Sequence, residues 1–127
     1  MADYSAPTAP RHLNVIGARF WRDFCADWEL EDTDDLELLR LACEAFDRST
    51  QARKLIRTEG ITYTDRFGSP HPHPAVNIEL RSRAAAASIV KQIQQTRITA
   101  ERAEEAERRR LAASEPARRG GGTRRHG

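Results

Sequence analysis

The fold of this chain is decided by the stretch GITYTDRFGSPHPHP, residues 60–74, which separates two long helical patterns. Ile61–Thr64 is β-branched and aromatic, which is typical of a short strand. Asp65–Gly68 has the composition of a turn, in which Gly68 is free to adopt a positive φ. Ser69–Pro74 is expected to return as a second short strand, although its prolines are expected to prevent a regular ladder. The stretch therefore predicts a small β-hairpin rather than a sheet.

The residues before this hairpin predict a long helix over 33–59. Asp32 or Thr33 can cap its start, and three acidic residues follow in or near the first turn, where the helix dipole favours negative charge. Gly60 accepts the left-handed conformation that ends many helices. Apolar residues occur around much of the cylinder, so we expect this helix to be covered on two sides.

An amphipathic pattern rich in aromatic residues comes earlier in the chain. Pro10 suits the first turn of a helix, which we predict over residues 9–28. Apolar side chains repeat at helical spacing along it, at Leu13, Ile16, Phe20 and Phe24. Residues 1–8 are predicted to be a disordered leader.

A third helix is predicted over residues 74–112, because Pro74 suits a first helical position and no other Pro or Gly occurs before Pro116. Such a helix is about 60 Å long, whereas a globule of this size has a radius of gyration of about 14 Å. We therefore expect it to project from the body, to break near residues 96–99, or to pack against other subunits. Its main apolar face comprises Val76, Leu80, Ala84, Ala87 and Val90, and a weaker seam continues along Ile89, Ile93, Ala100 and Ala103.

Composition limits the class of protein. The chain has 127 residues, 39% of them hydrophobic and 31% charged, which suits one helical domain, over residues 9–113, and a tail. No apolar run approaches the roughly 20 residues of a membrane span, and no secretory signal precedes the first helix. Cys25 and Cys43 lie within helical apolar patterns, so we expect reduced core thiols in a cytoplasmic protein.

Motifs for catalysis are missing from the sequence. There is no GxxxxGK[ST] loop, and no Ser, His and Asp or Cys and His grouping has a plausible local frame. His71 and His73 are two residues apart and would supply only two ligands, with Asp65 as a distant third, so we predict no metal site. The His-Pro segment is interpreted as a stiff connection into the third helix. We therefore predict no cofactor and no enzymatic activity.

Basic residues are concentrated at the C-terminal end. Residues 108–127 hold seven arginines and one acid, a charge of +6, while the rest of the chain carries −4. This distribution indicates an anionic partner, nucleic acid first, although a GC-rich genome would also enrich arginine over lysine. The predicted DNA contacts are Arg108, Arg109, Arg110, Arg118, Arg119, Arg124 and Arg125. A second candidate patch on helix one comprises Arg11, Arg19 and Arg22. Residues 114–127 are low in complexity and predicted to be a disordered basic tail.

The order of these features resembles the small terminase subunit of tailed double-stranded DNA bacteriophages. The resemblance rests on Trp21 in the aromatic helix, on the acid-capped helix ending at Gly60, and on the Gly68 turn. It continues through His73-Pro74 and Asn77 and covers roughly residues 13–93. After Ile93 the chain departs from the family pattern and runs on as a charged helix.

The resemblance implies a non-enzymatic DNA-packaging adaptor in the cytoplasm of the infected bacterial host. Small terminases form ring-like homo-oligomers, bind viral double-stranded DNA and regulate a separate large terminase subunit that holds the ATPase and nuclease. The alternative is a helical protein–protein interaction module, antitoxin-like or scaffold-like, without specific DNA binding. A ring of roughly eight or more subunits favours the first function, and a dimer favours the second.

Overall fold

The computed structural model describes residues 3–123, with side chains over residues 3–114. It confirms the predicted mainly helical fold with a small β-hairpin between the second and third helices and a long C-terminal helix. The chain forms two compact units, Met1–Ile93 and Gln94–Gly127. The elements in chain order are α1 Val15–Trp28, α2 Thr33–Glu59, β1 Thr62–Thr64, β2 Pro70–Pro72 and α3 Pro74–Thr123.

Helix α2 is the centre of the first unit. Ser49, in its second half, donates a hydrogen bond to Glu79 near the start of α3 (3.0 Å). Ile93, further along α3, belongs to the same buried cluster as Leu39 in the first half of α2. Helices α2 and α3 are therefore antiparallel, as expected, and α2 is covered on two sides because α1 packs against it as well.

The core of this unit is aromatic on the α1 side. Phe20 lies 5.5 Å from Phe24 and 4.7 Å from Phe46 between ring centroids. Cys25 and Cys43 are free thiols without solvent exposure. Burial raises the pKa of Cys43 to about 12 and also raises that of Cys25. Both thiols therefore stay protonated and chemically inert at neutral pH.

Helix α1 begins later than the sequence predicted, at Val15 rather than near Ala9. A proline disfavours helical backbone in the residue before it, and Pro7 and Pro10 therefore keep the preceding chain extended. The extended segment has partners in the core. The Tyr4 hydroxyl donates to the Leu30 carbonyl (2.7 Å), and the Trp21 indole N–H donates to the Pro7 carbonyl (2.8 Å). The disorder predicted for residues 1–8 did not anticipate these contacts.

The start of α1 is capped by a side chain from α2. Asn14, at the cap position, makes no side-chain cap of its own. Instead, the two carboxylate oxygens of Asp47 accept the backbone N–H groups of Asn14 and Gly17, each at 2.7 Å. Asp47 is only 7% exposed, and its negative charge lies where the helix dipole favours it. A Cβ at position 17 would lie 2.5 Å from Asp47 Oδ2, which is too close. The carboxylate can therefore reach the start of α1 only because residue 17 is glycine.

The hairpin forms a regular antiparallel ladder, contrary to the expectation that its prolines would prevent one. Tyr63 pairs with His71, and on either side the N–H of His73 donates to the Ile61 carbonyl (2.8 Å) and that of Asp65 to Ser69 (3.0 Å). Hydrogen-bonded pairs alternate along an antiparallel ladder, so the residues at positions 70 and 72 need no N–H toward β1. Proline is tolerated at both. Gly68 adopts a positive φ of 84° in the turn, as predicted.

The buried face of α3 in the first unit differs from the predicted apolar face. Leu80 is 55% exposed, Ala84 and Ala87 are exposed, and Val76 and Val90 are half-buried. The buried positions are instead Ala75, Ser82 and Ala86, together with Ile93 from the weaker seam. Small buried residues also occur along α2, at Ala42, Ala45, Ser49 and Ala52. These α3 positions follow one another at helical spacing on a single face, together with Glu79, which accepts the hydrogen bond from Ser49 of α2. The bulkier apolar stripe lies outside this face.

The C-terminal helix also extends beyond the predicted end at residue 112, to Thr123. The predicted basic tail, residues 114–127, therefore overlaps α3 as far as Thr123, while its side chains beyond residue 114 and all of residues 124–127 lie outside the described part of the chain. Within the described part of the chain, none of the helices combines the length and the apolar character needed to cross a bilayer.

Removing the Asp47 carboxylate is expected to destabilise the protein. In Asp47→Ala, the N–H groups of Asn14 and Gly17 lose their acceptor, and the buried Gly17 group alone costs roughly 1–3 kcal/mol before relaxation. Urea denaturation followed by circular dichroism measures the loss. Asp34→Ala, an exposed acid in the first turn of α2, is the control, and we expect it to cost less than 1 kcal/mol.

Gly17→Ala tests whether the Asp47 carboxylate leaves no room for a side chain at position 17. The effect of this substitution on stability should then depend on whether Asp47 is present. Alanine favours a helix interior over glycine by about 1 kcal/mol, so an open site would be stabilised. We expect destabilisation in the natural background, because the new methyl group displaces the carboxylate, and stabilisation when Asp47 is already alanine. If the changes in unfolding free energy from Gly17→Ala and Asp47→Ala simply add in the double variant, the steric conflict between the two positions is wrong.

Candidate nucleic-acid interface

Three of the predicted DNA contacts, Arg108, Arg109 and Arg110, are exposed on α3 in the second unit. Arg109 Nη2 lies 2.9 Å from Glu105 Oε2, and Arg110 Nη2 lies 2.5 Å from Glu107 Oε2. Exposed pairs of this kind contribute only about 0.3–0.5 kcal/mol, so they hold the guanidinium groups weakly. A phosphate group can therefore displace these glutamates.

Helix geometry limits how these three arginines act together. Successive residues of an α-helix project about 100° apart, so residues 108–110 point to different sides of α3. A duplex lying along one side contacts part of the set. The four glutamates and four arginines of residues 101–110 also balance one another in charge. The described part of this stretch is therefore a weaker electrostatic site than the arginine count alone indicates.

The other four predicted contacts are in the tail. The side chains of Arg118 and Arg119 lie outside the described residues, and so do Arg124 and Arg125 altogether. Their role in DNA binding stays a prediction. The excess positive charge of the C-terminal region lies with these residues rather than with residues 101–110.

The second candidate patch is partly assembled by the fold. Arg11 precedes α1 instead of lying on it, since the helix begins at Val15. Arg11 and Arg22 line one surface groove of about 430 Å³, whose other wall is the extended segment 6–10. Arg19 is exposed on α1 outside this groove. Within residues 3–114, none of the three arginines has an ion-pair partner, so their charge is available to an anion.

The extended segment that forms this groove is the feature that the sequence reasoning missed. Besides its contacts to the core, it is attached to α2 through His12, whose Nε2 lies 2.7 Å from Glu44 Oε2. Arg40 Nη1 lies 2.6 Å from the same oxygen. The spacing of Pro7 and Pro10 was the available signal, because two prolines three residues apart disfavour a helix that includes both.

The two histidines of the hairpin have structural partners. His71 Nε2 lies 2.8 Å from Asp65 Oδ2, and the His71 ring stacks on Tyr63 at 5.3 Å. His73 Nδ1 accepts the backbone N–H of Ala75 at the start of α3 (2.9 Å), so its proton is on Nε2, which donates to Glu59 (2.7 Å). Among the described residues, no three His, Cys, Asp or Glu side chains are grouped to hold a metal ion.

No family model matches this chain, and no curated protein or solved structure gives a significant match. Function is therefore inferred from the chain's own residues. The described geometry contains two arginine surfaces, one on α3 at residues 108–110 and one in the groove beside α1. Arginine forms bidentate bonds with phosphate and carboxylate oxygens, so each surface has the chemistry to hold an anion.

The Asp65–His71 contact leads to a prediction about pH. The His71 ring and the Ser69 backbone N–H hold the pKa of Asp65 below its ordinary value. A lowered folded-state pKa means that this contact stabilises the fold above the unfolded-state pKa and is lost as the pH falls through the folded-state pKa. In His71→Phe, which keeps an aromatic ring beside Tyr63, we expect the pKa of Asp65 to rise. Carboxyl NMR titration measures it, and an unchanged value would exclude His71 as the cause.

A control variant is available for this titration. His12→Phe removes the histidine that pairs with Glu44 and leaves the hairpin unchanged. We expect the pKa of Asp65 to keep its wild-type value in that variant.

Proposed function

We propose that this chain is a DNA-packaging adaptor of the small-terminase type. In this proposal it assembles into a ring-like homo-oligomer, binds viral duplex DNA through backbone phosphates, and regulates a separate large terminase subunit that supplies the ATPase and nuclease. The chain itself performs no catalysis and acts in the cytoplasm of an infected bacterium.

The observation that carries the proposal is the match between the resemblance and the junctions of the fold. Gly60 and Gly68 adopt φ values of 88° and 84°, which favour glycine. His73 caps α3 through its ring nitrogen, and Pro74 is the first residue of that helix. Four of the residues on which the resemblance rests, Gly60, Gly68, His73 and Pro74, thus lie where this helix–hairpin–helix geometry favours their residue types, and this agreement supports a common architecture.

Exposed apolar side chains support self-assembly. Val15, Ile61 and Leu80 are each more than half exposed, and Leu80 shares a stripe on α3 with the exposed Ala84 and Ala87. A contiguous exposed apolar stripe such as the one on α3 is typical of an interaction surface, whereas single exposed side chains such as Val15 and Ile61 are ordinary. A ring would cover it with neighbouring subunits.

Assembly also compensates for weak individual DNA contacts. The arginines of one copy are spread over different sides of α3 and over a separate groove, and each exposed contact contributes little. A ring brings many copies of both surfaces to one duplex, and linked weak contacts add to a high avidity. Contacts of this kind recognise the DNA backbone and have little sequence preference.

The alternative function is a helical protein–protein interaction module without specific DNA binding. The observation that favours it is the charge balance of residues 101–110, together with the net negative charge of the chain before residue 108. A body of this charge repels DNA, and the exposed apolar side chains would then serve a protein partner.

Neutralising the tail arginines is expected to weaken duplex binding. With Arg118, Arg119, Arg124 and Arg125 changed together to Gln, the chain keeps its length and loses four cations. Each lost phosphate contact lowers the slope of log K against log salt by about 0.9. Mobility shifts at two salt concentrations measure the slope, and deletion of residues 114–127 should give the same result.

The groove provides the matched comparison. Arg11→Gln combined with Arg22→Gln removes two cations that the structure describes and leaves the tail unchanged. If the tail variant binds as tightly as wild type with the same slope while this pair weakens binding, the groove rather than the tail contacts DNA. If neither variant changes binding, the tail and the groove are both excluded, and Arg108, Arg109 and Arg110 on α3 are left as the predicted contacts. Absence of duplex binding in the wild-type chain would show that the DNA assignment is wrong and would favour the interaction-module function.

The size of the assembly separates the two functions independently of DNA. We expect native mass spectrometry of the full chain to give a closed oligomer of roughly eight or more subunits. Leu80→Glu places a charge on the exposed stripe of α3 and should reduce the assembly without changing the helical circular dichroism. A dimer as the largest species would favour the interaction module.

A further inference from the structure

The outer edge of β1 carries unpaired backbone groups. Because Tyr63 and His71 form the hydrogen-bonded pair of the ladder, the N–H and C=O groups of Thr62 and Thr64 point away from β2. Both threonines are exposed, and no residue in the described part of the chain hydrogen-bonds to those groups. Such an edge is a template for a further strand.

The outer edge of β2 is closed by its sequence. The residues that point away from β1 on that strand are Pro70 and Pro72, which have no N–H to donate. A strand added at this edge could donate to the carbonyl groups of Pro70 and Pro72 but would receive no N–H donors in return. The two-stranded sheet therefore has one open edge, on β1, and one closed edge, on β2.

The hairpin has little support of its own. Every strand residue is exposed except His71, which is half-buried, and Tyr63 is 47% exposed although its ring stacks on His71. A two-stranded sheet in water is marginally stable unless further strands or a packed face support it. The open edge of β1 is where such support can be added.

We infer that β1 pairs with β1 of a second copy of this chain. The strands run antiparallel about a two-fold axis at Tyr63, and the backbone groups of Thr62 in one copy meet those of Thr64 in the other. The product is a four-stranded sheet in the order β2, β1, β1, β2. Residues 62–64 are uncharged, so no like charges oppose one another across the new ladder.

The occupant is a second copy because the edge is complementary to itself. Thr62 and Thr64 each offer one donor and one acceptor, and a two-fold axis between them matches donors with acceptors in both directions. The prolines at the outer edges then stop further strand addition, so pairing ends at two hairpins and does not continue into a fibre.

This contact goes beyond the proposed function. A ring requires a head-to-tail contact between subunits, whereas the hairpin contact is two-fold. The hairpins would therefore join two subunits, or two rings face to face, and the inference holds whether or not the chain binds DNA.

Cysteine cross-linking tests the register. In a non-hydrogen-bonded antiparallel pair the Cα atoms are about 4.5 Å apart, within the range that a disulfide spans. Tyr63→Cys is therefore expected to form a disulfide-linked dimer when the full chain is incubated with oxidised glutathione. The native Cys25 and Cys43 are buried and do not compete. Phe67→Cys is the control, since Phe67 is 79% exposed but lies at the turn, away from the two-fold axis.

We expect Tyr63→Cys to cross-link at least about tenfold faster than Phe67→Cys on non-reducing gels, because pairing holds the two sulfur atoms close together. Equal rates for the two variants would overturn the inference. This comparison does not depend on DNA binding or on ring formation.

A second pair of variants tests the hydrogen bonds. Thr64→Pro removes an N–H from the open edge and leaves the ladder within the hairpin unchanged, whereas Thr64→Val keeps the N–H. Analytical ultracentrifugation should show the mass halved in Thr64→Pro and unchanged in Thr64→Val. The mass is expected to halve whether the wild-type assembly is a dimer of single chains or a pair of rings, because in both cases the hairpin contact joins two equal halves. The test therefore does not depend on ring formation. Wild-type mass in Thr64→Pro, with native helical circular dichroism, would contradict the pairing.

Discussion

The bond between Asp47 and the start of α1 is the constraint on which the N-terminal part of the molecule depends. A buried carboxylate needs partners for both oxygens, and the backbone N–H groups of Asn14 and Gly17 supply them. Because the cap comes from α2, it determines where α1 begins and how the two helices lie together. The chain before the cap is left extended, and it becomes the wall of the groove that contains Arg11 and Arg22.

Proline has two roles in the hairpin, and both follow from its missing N–H. At positions 70 and 72 it falls on the side of β2 that faces away from β1, so the ladder forms without cost. The same placement leaves β2 unable to accept another strand. The asymmetry between the two edges is thus a direct result of alternation along β2, and it leaves β1 as the edge open to a partner.

The charge distribution explains why an oligomer suits the proposed function better than a monomer. Each described arginine near residue 108 is exposed on a helix that also carries glutamates, and two of them pair with those glutamates. Such cations bind phosphate weakly when they act singly. Repetition around an assembly converts the same weak contacts into stable binding, and exposed apolar side chains such as Leu80 provide the surface for that assembly.

The amino-acid sequence by itself determined the features that depend on neighbouring residues. The bounds of α2, the turn at Gly68 and the start of α3 at Pro74 all follow from local backbone preferences. Pro7 and Pro10 limit how early α1 can begin, but the tertiary structure decided its start at Val15, because its cap, Asp47, lies thirty residues from Gly17. It also decided the buried face of α3 and the Arg11–Arg22 groove. Periodicity identifies apolar stripes, but which stripe is buried depends on the shape of the helix packed against it.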